Sequence, residues 1–159
     1  MPKPKKTKSN FPKFDLLEYL QLYHNSKFNL YVKPSNLTEA GLGVFTHDFI
    51  PANTFVDFYE GFLSEYLKGG NYFFQINNKW GIDGFGPPRC YMAMLNDANY
   101  KVITKTKKKS ENQAYQRIYS NNCQFVNDEV NLKVSIYTIV DIEPESELFI
   151  SYGNNYWNN

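Results

Sequence analysis

The segment SYGNNYWNN, from Ser151 to Asn159, ends an apolar run on Tyr152 and Gly153 and then adds Tyr156 and Trp157. Aromatic side chains placed so close together either clamp a chain end or wall a site. The whole chain is rich in the same chemistry. Its 13 Tyr and 13 Phe exceed what a small core needs when every hydroxyl must find a partner, so some tyrosines are expected to line a channel. Other reactive residue types offer less. Cys90 and Cys123 belong to no CxxC pair, which excludes a disulfide scaffold and leaves a structural zinc short of ligands. Neither histidine pairs recognisably with Cys123, which reads as a small buried hydrophobe rather than a nucleophile. Gly41-Leu42-Gly43 lacks the third glycine and following helix of a dinucleotide fingerprint, and marks instead a close approach of backbone to something else.

The elements that must position these residues are mostly strands. Residues 1–12, rich in Lys and Pro, are expected to form a basic disordered tail. Residues 13–35 are expected to form a helical extension, because Phe14, Leu17, Leu20 and Tyr23 share one stripe of a short helix over FDLLEYLQLYH. From residue 36 to 159, glycines and prolines punctuate short runs of Val, Ile, Phe and Tyr. GVFTHDFI, TFVDFYEG, YFFQINN and KWGID read as strands, as do NLKVSIYTIVDI and ELFISYG, while PRCYMAMLND suits a turn or two of helix. Residues at about 101–121 carry a lysine run and read as a basic insertion on the surface. The fold class is therefore mostly β, since the long crossover helices of a doubly wound sheet are missing.

Size and charge bound the remaining possibilities. A chain of 159 residues with 42% hydrophobic content fits one domain with a real core. Its net charge of +1 argues against a chain-wide nucleic-acid surface while permitting a local basic patch. No secretory signal or membrane span is readable, so an intracellular location is the default. The basic run MPKPKKTKSN resembles a nuclear-targeting patch.

Five segments, in order, resemble the SET domain of protein-lysine methyltransferases. AGLGVF at 40–45 is similar to that family's opening Gly-x-Gly-Val-Phe turn, and FYEG at 58–61 to its Tyr-x-Gly strand end. YFFQINNKWGID at 72–83 resembles the stretch before its central region. LND at 95–97 with NNCQF at 121–125 resembles the Asn-His-Ser…Pro-Asn-Cys element, split by the basic insertion. IVDIEPESELFISYGNNYW at 139–157 resembles the closing Ile-x-x-Gly-Glu-Glu-Leu…Tyr-Gly signature. The match spans about residues 36–157. It resembles most the minimal viral type, and implies small curved sheets around a C-terminal pseudoknot that joins the LND and SYG segments.

The resemblance implies an S-adenosylmethionine (SAM) dependent protein-lysine N-methyltransferase that needs no metal. Tyr152 would be the active-site tyrosine, with Tyr59 and Phe125 on the lysine channel and Ile150 at the position that affects how many methyls are added. Ala40, Leu42 and Gly43 would offer backbone to the cofactor, Asn96 would bond its methionine end, and Tyr72 and Trp157 would wall it. Two departures stand out. Asp97 replaces the family histidine near the cofactor, exchanging a ring that donates and accepts for an acceptor-only carboxylate, and Ala93 replaces a frequent arginine. The expected partner is a lysine-bearing protein, foremost a histone tail or nucleosome, with auxiliary nucleic-acid contact through the lysines, no membrane, and a homodimer as an open possibility. Two other readings stay open: a catalytically silent SET-like module binding chromatin or a protein partner, and a small nucleic-acid-binding β domain.

Overall fold

The computed structural model describes residues 20–65, 69–99 and 119–153. Eleven short strands run through them in the order β1 (Leu22–Tyr23), β2 (Leu30–Pro34), β3 (Leu42–Thr46), β4 (Phe55–Phe58), β5 (Phe62–Ser64), β6 (Phe73–Gln75), β7 (Gly81–Asp83), β8 (Arg89–Cys90), β9 (Cys123–Asp128), β10 (Lys133–Thr138) and β11 (Glu147–Leu148). A single 3-10 turn, Tyr91–Met94, follows β8 directly. Three small antiparallel sheets have the orders β11-β3-β2, β4-β10-β9 and β5-β7-β6, and β1 lies parallel to β8.

The expected N-terminal helix is corrected. Gln21 turns at φ 48°, and Leu22–Tyr23 leave it as β1, paired with Arg89–Cys90. Among the described residues the 3-10 turn is the one helical element of more than a single residue, Leu20 alone being helical ahead of Gln21. The physical reason is tertiary: Leu22 and Tyr23 pack on the core from a strand, and an amphipathic stripe this short does not decide between periods. Residues 14–19 of the expected helix, the basic tail, most of the basic insertion and Trp157 lie outside the described residues.

Strand chemistry sets the core. In β10, Val134, Ile136 and Thr138 are buried while Lys133, Ser135 and Tyr137 are more exposed, the alternation of a half-covered sheet. Thr138 is buried with its hydroxyl satisfied, donating to Pro51 O at 2.6 Å and accepting Thr54 N–H at 2.9 Å. Val44, Ile50, Val56, Leu148 and Ile150 complete a core from which water is excluded. In β3, Gly43 is required by contact, because a Cβ there would lie 2.1 Å from Glu147 Oε1.

The segment 147–152 then runs between two others. Glu147 and Leu148 pair with β3, Asn96 bridges Phe149, and Cys123 bridges Ile150. Ile150 N–H donates to Asn96 O at 2.9 Å, and Asn122 and Cys123 N–H both donate to Phe149 O. The Asn122 side chain closes the seam, accepting Phe149 N–H at 2.8 Å and donating to Glu147 O at 2.9 Å. LND, NNC and SYG, distant in sequence, are thereby neighbours.

Candidate active site

A cavity of about 560 Å³ opens where those three segments meet β4 and β6. Its wall carries Tyr59, Phe125, Ile150 and Tyr152, and also Ala40, Tyr72 and Asn96. Leu42, Gly43 and Asp97 are not on that wall; they stand behind it.

Both phenols on the wall are anchored. Tyr152 Oη donates to Leu95 O and Tyr59 Oη to Tyr72 O, each at 2.5 Å. With its proton committed to a carbonyl, each hydroxyl oxygen meets a ligand as an acceptor. Burial is the main cause that pushes the Tyr59 phenol far above its ordinary range, with Cys90 and Tyr152 adding to it, so Tyr59 stays neutral. Gly84 makes room for that hydroxyl: a Cβ there would sit 2.8 Å from Tyr59 Oη.

The aromatic wall contains a residue that sequence reasoning missed. Phe74 lies 4.5 Å from Phe125 and 6.0 Å from Tyr59, centroid to centroid, so the three rings form one apolar face. The sequence signal, adjacent rings in YFFQ, marks an aromatic stretch without saying which ring meets Phe125. Arg89 was missed too. It is buried, its guanidinium 4.1 Å from the Tyr72 ring centroid and 5.0 Å from that of Phe85, and its Nε donates to Phe85 O at 2.6 Å. It holds Tyr72 in place by stacking. Ala93, at the frequent arginine position, lines the cavity instead.

On the opposite side Asn96 is fixed from behind. Its Nδ2 donates to Leu42 O at 2.9 Å and lies 3.4 Å from Glu147 Oε1. Glu147 also accepts Ser35 Oγ–H at 2.7 Å and Asn36 N–H at 2.8 Å. Burial raises its carboxyl above the ordinary range, and the bonds from Ser35, Asn36 and Asn96 oppose that rise. Asp97 is buried at 1% exposure and accepts N–H groups of Tyr152, Asn99 and Asn121. Cys123 is sealed in the core, and burial pushes its thiol up to about 12, so it holds almost no thiolate. Among the described residues no group of three or more His, Cys, Asp or Glu gathers to hold a metal, and no helix is long and apolar enough to cross a membrane.

The profile of the SET domain matches residues 41–153, a span that includes every cavity residue named above except Ala40. The chain belongs to the SET-domain family. Two solved structures of KRYPTONITE resemble this SET domain. One, in complex with mCHH DNA, an H3(1-15) peptide and SAH, is 21% identical with a TM-score of 0.57. The other, in complex with mCHG DNA and SAH, is 20% identical with a TM-score of 0.56. Each match covers 80% of this chain and 24% of that chain, so the likeness is one of fold, over a quarter of the larger protein. No curated protein sequence matches the chain.

Proposed function

We propose that this SET domain is a SAM-dependent protein-lysine N-methyltransferase whose substrate is a histone H3 tail. The observation that carries the reading is the pair of anchored phenols, Tyr59 and Tyr152, on one cavity with the Phe74–Phe125 face. A narrow aromatic channel disfavours the charged ammonium by desolvation and so raises the share of neutral amine. The phenol oxygens, with their protons committed to carbonyls, accept N–H bonds from that amine and aim its lone pair. Ile150 sets the depth of the channel.

The cavity suits the cofactor that the family implies, having the volume of a small-molecule site and a wall that sets Asn71, Asn96 and Ser151 among aromatic and apolar side chains. When bound, SAM would supply an electrophilic methyl on a positive sulfonium. Ala40 and Tyr72 would wall it, and Asn96, its Nδ2 committed to Leu42, would offer its carbonyl oxygen to the ammonium of the methionine end. Leu42 and Gly43 act through Asn96 and Glu147, and Trp157 belongs to this proposal from the sequence alone.

The domain division 1–12, 13–35 and 36–159 is kept, with the extension read as non-helical from Gln21 onward. The resemblance to the minimal viral type, a nuclear location and auxiliary DNA contact through the lysines are parts of the same reading that rest on the sequence. KRYPTONITE, crystallised with an H3 peptide and SAH, supports the choice of substrate class.

The test is incubation with radiolabelled SAM and separate pools of core histones, nucleosomes and cell extract, beside Tyr152→Phe. Label is expected on histone H3, falling about a hundredfold in the variant, as for a misplaced reacting pair. Label on another discrete protein keeps the enzyme and moves the substrate. No label, with SAM binding confirmed by calorimetry, makes the chain a silent module.

A further inference from the structure

Three N–H groups converge on the buried carboxylate of Asp97. Its Oδ2 accepts Tyr152 N–H at 2.9 Å, and its Oδ1 accepts Asn99 N–H at 2.9 Å and Asn121 Nδ2–H at 3.0 Å. Asn121 returns the bond through Oδ1, which accepts Ala98 N–H at 2.8 Å. The two side chains thus tie residues 97–98 to residue 121.

The arrangement also fixes Tyr152 from two sides. Its N–H is held by Asp97 and its hydroxyl by Leu95 O, so both ends of the tyrosine are referenced to one tripeptide, Leu95–Asp97. The chemistry of the clamp is particular to a carboxylate. Acceptor-only oxygens take every donor present, whereas a neutral imidazole brings a single acceptor nitrogen and one N–H that would face another N–H. Asn121 departs from the family element together with Asp97, standing where Pro precedes Asn-Cys, and a proline carries no side-chain donor. The two departures touch.

We propose that Asp97 and Asn121 are a coupled positioning pair that seats Tyr152. The inference rests on the methyltransferase reading of Tyr152. Neither residue touches the reacting atoms; each acts through the tyrosine.

The test is a double-mutant cycle with Asp97→Asn, Asn121→Asp and the swap of both. In the swap, the new amide donates to the new carboxylate and keeps its oxygen for Tyr152 N–H, so that contact is rebuilt with roles reversed, and Asn99 N–H, on an exposed residue, turns to solvent. Each single variant is expected to lower kcat about tenfold or more, because Asp97→Asn sets two amide donors face to face and Asn121→Asp two carboxylates, while the swap returns to within about threefold of wild type. KM for SAM should stay within about twofold throughout, because the bonds of Asn96 are untouched. Asp97→His should fall as far as Asp97→Asn. Hydrogen exchange of the Tyr152 amide gives a readout that needs no catalysis: fast in the single variants, slow in wild type and swap. Additive losses in both kcat and exchange, or gain of activity in Asp97→His, would overturn the pair. If the wild type transfers no methyl group, the functional reading fails, and exchange at Tyr152 still decides whether the pair seats it.

Discussion

At the scale of single residues, the site depends on side chains behind the wall as much as on it. Glu147 bridges the 35–36 turn to Asn96 and is the buried carboxylate whose proton is held more tightly in the folded chain than in the unfolded one. The sign follows. A folded pKa above the unfolded value means that the folded state binds more proton in the window between them, so stability contributed here falls as pH rises through it. The stability difference between wild type and Glu147→Gln, read from urea midpoints between about pH 4 and about pH 7, should therefore turn against wild type as pH rises. A constant difference would mean that Glu147 titrates as an ordinary carboxyl. Tyr152, Tyr59 and Asn96 were legible from type and motif. The service of Asp97 was not, because its contacts reach 24 residues to Asn121 and 55 to Tyr152, and no local pattern encodes a bond at that range.

At the scale of elements, strands were legible wherever period two or turn residues marked them. GVFTHDFI covers β3 except for Leu42, TFVDFYEG contains β4, and NLKVSIYTIVDI contains β10. The failure is the shortest piece: two-residue β1 shows no period of its own and takes its state from β8. PRCYMAMLND holds the expected turn of helix as the 3-10 turn Tyr91–Met94, with β8 ahead of it. Phe74 was hidden because adjacent aromatics in YFFQ do not say which faces inward until β6 pairs with β7. The basic insertion read from the sequence at about 101–121 is an element of another kind. Its flanks are already joined by Asp97–Asn121 and by Asn121 to Ala98 N–H. Loop closure varies slowly with length once the ends are held, so replacing residues 101–117 with a short Gly/Ser linker should change stability by about 1 kcal/mol or less. Chemical denaturation checks this. Methyl transfer to a histone peptide should persist, and transfer to nucleosomes should fall if the lysines there contact DNA.

At the scale of the whole molecule, the cavity is a junction rather than a feature of any one sheet. Segments around residues 59, 72–74, 96, 125 and 150–152 contribute to it, and each is held by a different set of pairings. A ligand filling the junction binds the assembled state and not the unfolded chain. SAM at about a hundred times its Kd should add about 2.7 kcal/mol, a rise of about 5–10 °C in Tm for a chain of this size. A thermal melt with and without SAM measures it, and an unchanged Tm would count against the cofactor. The sequence announced the junction through five ordered motifs, but the motifs alone did not reveal Arg89 as the stacked support of Tyr72.

The seam in which Glu147 to Tyr152 lies between residues 96–97 and 121–123 also bears on how the molecule comes into being. A ribosome makes the middle segment of that seam last. Until it emerges, Asn96 O and Asp97 have no Ile150 or Tyr152 to receive, and β3 lacks its Glu147–Leu148 neighbour. The sheets β4-β10-β9 and β5-β7-β6 are complete in sequence by residue 138, yet a nascent chain halted before residue 147 has neither its central seam nor Tyr152.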